Sequence, residues 1–367
     1  MKAVIEDCKK LRKLCLVLKK ERSKGSLNIL SKTMIRTNAD RGCLELVATD
    51  LDTTKILRLP AVIEEPGCAV VDIMDLDKYA KNIKKVGGQL TLETEDNGWL
   101  QVNHEKLETR LVGVRPEEFP DIVEPDDRFG DPVDLDGDEF FRVIDACYPA
   151  IFTDTTNPEL TGLYFDGDDA VATDGHRMQC RKLDTDFDQK IVPHSAIKVA
   201  RYAWEKYKPE RVRMQEADDH VAIHIGDHTI TSRCIDADGE FPDYMQVLPD
   251  GDEATTVRVD RSDVLQALDL LEPVISSTSK GVQVTLNNDG LELYANSADS
   301  GEAKAFIGAE VDGSVSRMKA NGGYLYDALE SFEDDRVTLA VSGMGVPIVF
   351  REDSRPEECA MVMPMKF

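Results

Sequence analysis

Apolar residues recur at helical and strand spacings in three successive stretches of the chain. Leu11, Leu14, Cys15 and Leu18 fall at i, i+3, i+4 and i+7, the buried stripe of an amphipathic helix. Its other side carries Lys9, Lys10, Arg12, Lys13, Lys19 and Lys20. Phe140, Ile144, Cys147 and Ile151 predict a matching helix from Asp138 to about Ile151. A third begins near Ser262, read as its N-cap, and buries Leu265, Leu268 and Leu271. A second helix in each stretch is predicted near 75–86, 194–207 and 322–332. Alternation between them predicts strands at 44–47, 89–93, 221–225 and 282–286, with turns at Gly226-Asp227 and Asn287-Asn288-Asp289-Gly290. Stretches rich in Asp, Gly and Pro near 124–137 and 249–254 read as linkers.

The three stretches are copies of one pattern. Ala48-Thr49-Asp50 returns as Ala172-Thr173-Asp174, 124 positions on, with a weaker echo at Ala295-Asn296-Ser297. Glu118-Phe119-Pro120-Asp121 returns as Glu240-Phe241-Pro242-Asp243, 122 positions on. A period above 100 means duplicated whole domains rather than a solenoid. The expectation is an α+β chain of three tandem similar domains, 1–125, 130–251 and 255–367, each with two helices on antiparallel sheets. Such a series builds an arc or a ring.

Composition fits ordinary packed cores: 41% of residues are hydrophobic and 31% charged. No run of about 18 apolar residues suits a membrane span, and Met1 to Asp7 has no apolar signal core. The eight cysteines are scattered with no Cys-x-x-Cys pair, which fits a reducing cytoplasm. The net charge of −26 argues against nucleic acid until its distribution is considered. Residues 1–24 hold nine Lys/Arg against three Asp/Glu; further clusters are Lys78, Lys81, Lys84 and Lys85, and Lys198, Arg201, Lys206, Lys208, Arg211 and Arg213. An acidic body with a few basic helices can carry DNA on one surface.

Catalytic chemistry is hard to find. His220, His224 and His228 fall four apart, but their Val, Ile and Thr neighbours read as a hairpin rather than a metal-binding helix. Asp134, Asp136 and Asp138 imitate a calcium loop, yet Glu139 stands where its glycine belongs. There is no Gly-x-Ser-x-Gly, Walker or dinucleotide fingerprint. No enzyme activity, metal or cofactor is expected. Two segments do read as a binding surface: Thr173-Asp174-Gly175-His176-Arg177-Met178, and the apolar stretch Met361-Val362-Met363-Pro364-Met365. Deformable methionines suit a groove that accepts several peptides. A last core strand is the competing reading of the second segment, and Pro364 weakens it.

At these residues the chain resembles the bacterial sliding clamp family, the DNA polymerase III beta subunit. The resemblance rests on Ala172 to Met178, Glu240-Phe241-Pro242-Asp243-Tyr244, Val362-Met363-Pro364-Met365, Arg115 to Pro120, Ala48-Thr49-Asp50-Leu51 and the loop Asp154 to Gly162. It implies a head-to-tail homodimeric ring, helices inside and sheets outside, through which double-stranded DNA passes without sequence readout. It implies a peptide groove of Leu160, Thr173, Gly175, His176, Arg177, Met178, Pro242, Val247, Met361, Val362, Met363, Pro364 and Met365. DNA polymerase, the clamp loader and other proteins with a clamp-binding motif would dock there, with His176 and Arg177 fixing the peptide by hydrogen bonds. DNA contacts would come from Lys9, Lys13, Lys20, Lys24, Lys78, Lys81, Lys198, Arg201 and Asn321. Val274 and Ile275 are candidate dimer contacts, with core packing the competing reading. The 322–332 helix has no Lys or Arg, so the third domain offers DNA little charge. The expected function is a processivity factor; the rival is an acidic scaffold or decoy that binds polymerase peptides without encircling DNA.

Overall fold

The computed structural model describes residues 1–19, 28–86, 88–105, 107–236, 241–247, 255–341 and 345–366. Lys20, Lys24, Glu240 and the 249–254 linker lie outside the described residues. Among the described residues are six α-helices: α1 (Cys8–Leu18), α2 (Ile73–Val86), α3 (Gly137–Cys147), α4 (His194–Tyr207), α5 (Arg261–Leu271) and α6 (Gly322–Glu330). Five of them start directly after a strand and α1 starts three residues past the end of one, and the order is the same in each third of the chain. A short strand leads into α1, α3 and α5 from Lys2–Ile5, Val133–Asp136 and Thr255–Asp260. Cys68–Asp72, Arg177–Pro193 and Ser316–Asn321 lead into α2, α4 and α6.

Contacts divide the chain into two compact units. One holds Met1–Phe141 with Ser195–Cys234, the other Arg142–His194 with Ile235–Phe367. The middle third is thus shared between them. In the first unit, a nine-stranded antiparallel sheet runs Gly113–Val114, Cys68–Asp72, Lys32–Asn38, Cys43–Thr49, Thr53–Pro60, His228–Arg233, His220–Ile225, Arg211–Glu216, Val133–Asp136. The second unit has a seven-stranded sheet: Gly162–Thr173, Arg177–Pro193, Cys359–Val362, Ile348–Glu352, Arg336–Val341, Thr255–Asp260, Glu310–Gly313. Each therefore joins strands of two different thirds, at the pairings of Thr53–Pro60 with His228–Arg233 and of Arg177–Pro193 with Cys359–Val362. A five-stranded sheet ending on Leu107–Leu111 completes the first unit's strands, and a four-stranded sheet ending on Gly301–Gly308 completes the second's.

Several local expectations change. The helix expected to reach Ile151 stops at Cys147, and Tyr148–Ala150 forms a 3-10 turn. Pro149 cannot donate the hydrogen bond that continuation would need. α5 is capped by Asp260, not Ser262: the Asp260 carboxylate accepts from the Ser262 N–H at 3.1 Å and its hydroxyl at 2.7 Å. Val264 and Ala267 join Leu268 and Leu271 in its buried stripe, while Leu265 is only half-buried. The 124–137 linker ends in the strand Val133–Asp136, where Asp136 accepts from the N–H groups of Asp138 and Glu139 at 3.0 Å each. Asp134, Asp136 and Asp138 thus belong to a strand and a helix start, not to a calcium loop. His220–Ile225 and His228–Arg233 do form the expected hairpin.

Sequence reading missed the long hairpin Gly162–Thr173 and Arg177–Pro193. Asp166, Asp168 and Asp169 break its alternation, and the pairing register shifts on either side of Gly167. This hairpin builds the site.

Candidate functional site

The tip of that hairpin repeats one in the first unit bond for bond. Asp174 accepts on Oδ1 from the N–H groups of His176 (2.9 Å) and Arg177 (3.0 Å), and the Gly175 N–H donates to Thr173 Oγ1 (3.1 Å). At the other tip Asp50 Oδ1 accepts from Asp52 (3.2 Å) and Thr53 (2.7 Å), while the Leu51 N–H donates to Thr49 Oγ1 (3.0 Å). Gly175 and Leu51 take the same left-handed backbone, φ 80° and 87°. Thr-Asp therefore recurs because both turns use its two side-chain oxygens as caps.

Below the second tip lies a cavity of about 210 Å³. At about 30 Å³ of liquid per water, an apolar side chain entering it displaces several waters. Its walls are Leu160, Thr173, Gly175, Arg177, Met178, Pro242, Val247, Met361 and Met363, all expected, with Asp243 and Tyr244, which were not. The floor is a buried cluster that includes Tyr164, Val171, Cys180, Phe241, Tyr244 and Cys359. Tyr164 stacks on Phe241 with ring centres 4.3 Å apart. Burial first, then the adjoining Asp169 carboxylate, raises the Tyr244 phenol pKa, so it stays a neutral donor to Asp169 Oδ2 at 3.0 Å.

Strand phase sorts the C-terminal segment. Cys359–Val362 is an interior strand between Arg177–Pro193 and Ile348–Glu352, so the core-strand reading holds for this part of it. Met361 lies opposite Met178 and faces the cavity with it, whereas Val362, opposite Arg177, enters the core on the other face. The chain then leaves the ladder: Met363 N–H donates to His176 O at 2.8 Å and Met365 N–H to Lys319 O at 2.6 Å. His176 is exposed, Pro364 and Met365 are half-buried, and none of the three lines the cavity. Val362→Ala is expected to cost about 2 kcal/mol of stability with peptide affinity retained. Met363→Ala, on the wall, is expected to leave stability within about 0.5 kcal/mol and cost about 1–2 kcal/mol of peptide affinity. Parallel thermal melts and peptide titrations check both.

Each of the three guanidinium nitrogens of Arg177 has a protein partner. Its Nε donates to Asp174 Oδ2 at 3.0 Å, Nη1 pairs with Asp327 and Nη2 bonds the Pro149 carbonyl, while Tyr324 lies 4.3 Å from the guanidinium. It braces the wall with three of its five N–H groups.

The basic residues divide in the same way. Lys9 and Lys13 on α1 and Lys78 and Lys81 on α2 are exposed, and Lys78 is 2.7 Å from Asp75. Arg12 and Lys19, from the same basic face, turn inward to the buried Asp77 of α2; Lys19 Nζ sits 2.7 Å from it. Lys198 and Arg201 on α4 are half-buried. Asn321 caps α6, its side-chain oxygen accepting from the Gly323 N–H at 3.0 Å. Among the described residues no group of three or more potential metal ligands converges, and no helix is long and apolar enough to cross a membrane.

Comparison with known proteins agrees with this arrangement. Residues 134–243 match the family model of the DNA polymerase III beta subunit central domain and residues 245–366 that of its C-terminal domain. Together the two models take in more than half of the chain. The beta sliding clamp of Caulobacter vibrioides is 26% identical over 380 residues, covering 100% of both chains. That of Pseudomonas aeruginosa is 26% identical over 369 residues, covering 97% of each. Among solved structures, the sliding clamp of Caulobacter crescentus superposes with a TM-score of 0.86 at 25% identity, covering 100% of both chains. The clamp of Bacillus subtilis, at 19% identity over 100% of this chain and 99% of its own, has a TM-score of 0.89 and shares the fold. The chain belongs to the DNA polymerase III beta subunit family, the beta sliding clamps.

Proposed function

We propose that this chain is a non-enzymatic processivity clamp of the cytoplasm. Two copies close head to tail into a ring around double-stranded DNA, and the ring tethers DNA polymerase and other proteins that carry a clamp-binding motif. A clamp loader opens and closes it. Each copy supplies three tandem domains, 1–125, 130–251 and 255–367.

The cavity between the Thr173–Arg177 tip and Met361–Met363 carries this reading. It is apolar apart from Thr173, Arg177, Asp243 and the Tyr244 hydroxyl, and it sits on a sheet, as suits the anchors of a short peptide. The closure of the ring draws on two unpaired sheet edges. Leu107–Leu111 and Gly301–Gly308 are outermost strands, and each carries an exposed large apolar residue, Leu107 at 45% and Phe306 at 58%. Pairing the first edge of one copy with the second edge of another gives a heterologous contact, and two such contacts close a dimer. Val274 and Ile275, half-buried against the core of the second unit, stay with this proposal as candidate contacts.

Lys9, Lys13, Lys78 and Lys81 supply sequence-blind phosphate contacts, and the acidic remainder repels DNA from other surfaces. Lys20, Lys24, Lys198, Arg201 and Asn321 stay with this proposal as secondary contacts; Asn321 would offer only the amide nitrogen, its oxygen being the α6 cap. Replacing Lys9 and Lys13 by Glu tests the assignment. The slope of log affinity for duplex DNA against log salt should fall by about 2, with peptide affinity unchanged. Equal loss of peptide affinity would make α1 a structural helix instead.

A further inference from the structure

Among the described residues that line the cavity, two carry charge, and they are not equivalent. Arg177 is largely engaged: its three nitrogens bond Asp174, Asp327 and the Pro149 carbonyl, using three of its five N–H groups. With two carboxylates around one guanidinium, its positive charge is offset locally. Asp243 is the opposite case. It is exposed, and its carboxylate receives one hydrogen bond, from Gln246 Nε2 at 2.9 Å. No cation among the described residues pairs with it.

Position makes this charge matter. Asp243 lies between Pro242 and Tyr244, both wall residues, and is exposed beside the buried cluster that holds Tyr164, Phe241 and Tyr244. A peptide that seats apolar anchors against Met178, Met361 and Met363 brings its flanking residue past that carboxylate. Water is displaced from the apolar walls as the anchors enter, so the charge is screened less than on an open surface.

We infer that Asp243 is a specificity-determining residue that selects peptides bearing a lysine or arginine beside their apolar anchors and disfavours those bearing aspartate or glutamate there. The inference rests on the groove reading above and adds the charge of the partner to it. Selection of this kind combines an attractive pair with one partner and a like-charge clash with the other.

Three synthetic hexapeptides with identical apolar anchors and Lys, Gln or Glu at the flanking position provide the test, titrated by fluorescence anisotropy at low and high salt. The Lys peptide should bind about fivefold tighter than the Glu peptide at low salt, with the gap closing as salt rises. Asp243→Asn should abolish most of that gap. Asp312→Asn removes the same charge from the edge strand Glu310–Gly313, at the other end of the strand order from the hairpin, and should leave the gap intact. This control separates a local effect from the field of a chain carrying −26. Equal binding of all three peptides, or an unchanged gap in Asp243→Asn, overturns the inference while sparing the groove. Failure of every peptide to bind folded protein removes the groove reading, and the inference with it.

Discussion

Glu358→Gln is expected to destabilise the second unit by about 3–5 kcal/mol, among the largest effects of any single substitution in the chain. Glu358 is 1% exposed and binds two arginines. Arg142 grips it through two hydrogen bonds of 2.7 Å, and Arg181, wholly buried, lies 3.6 Å away. The Lys182 N–H donates to it as well, at 3.0 Å. Arg181 is further held by the carbonyls of Cys180 and Cys359 at 2.9 and 2.7 Å, by Ser331, and by the ring of Phe332. Burial pulls the Arg181 pKa below its ordinary value, which measures how strongly this site disfavours an uncompensated cation. Removing the carboxylate takes from both guanidiniums the counter-charge they share. Loss should appear as a fall of about 10 °C in the melting temperature. Replacing all three residues together by apolar ones of similar size should recover most of it. If Glu358→Gln melts like the parent, the network contributes nothing to stability.

The second large effect is a loss of stability between pH 6.5 and 4, centred on the first unit. Burial is the main reason that His228 and His224 are held down to about 4 from an ordinary 6.5. Arg58 opposes a positive charge on both, and Arg213 and Arg41 oppose it on His224. Geometry explains the preference at His228: its Nδ1 accepts the Arg58 backbone N–H at 3.1 Å, which a protonated nitrogen cannot do. Above pH 6.5 both histidines are neutral whether folded or not, and their contribution is fully present. As pH falls below 6.5 the unfolded chain takes up protons that the folded chain refuses, so stability drops until about pH 4. For His228, at about 1.4 kcal/mol per pH unit, the loss is at most about 3 kcal/mol; His224, less buried, adds a smaller share. Glu45 extends the decline further: burial would raise its pKa, but Arg36 and Arg58 together hold it below the ordinary range. Unfolding free energies measured by urea from pH 7 to 4 should fall for the parent and less steeply for His228→Gln. A flat profile would mean that these rings titrate freely.

Helices and repeats were legible because each is local. The α1 stripe of Leu11, Leu14, Cys15 and Leu18 is wholly buried, and the Thr-Asp echo marks a turn whose bonds span four residues. What depends on strand phase was not. Met361 to Met365 read as one apolar tract, yet only alternate members face the cavity, because Val362 belongs to an interior strand. Charge was misread where the partner is distant in sequence. Arg12 and Lys19 count as basic surface until Asp77, on another helix, takes both, and Arg177 reads as a free donor until Asp327 is placed beside it. Asp243 and Tyr244 belong to or adjoin the repeated Phe-Pro-Asp motif, which by itself carries no sign of which of its residues face a cavity. Their role emerged only once the buried Phe241 fixed which neighbours face the cavity.

The enclosure of DNA is the claim on which the rest turns, and topology tests it directly. The protein is loaded by a clamp loader with ATP onto nicked circular DNA, washed in high salt, and the circle is then cut once. A closed ring stays on the circle through the wash and is released when the DNA is made linear. Loss from the intact circle in the wash, or equal retention after cutting, would contradict it.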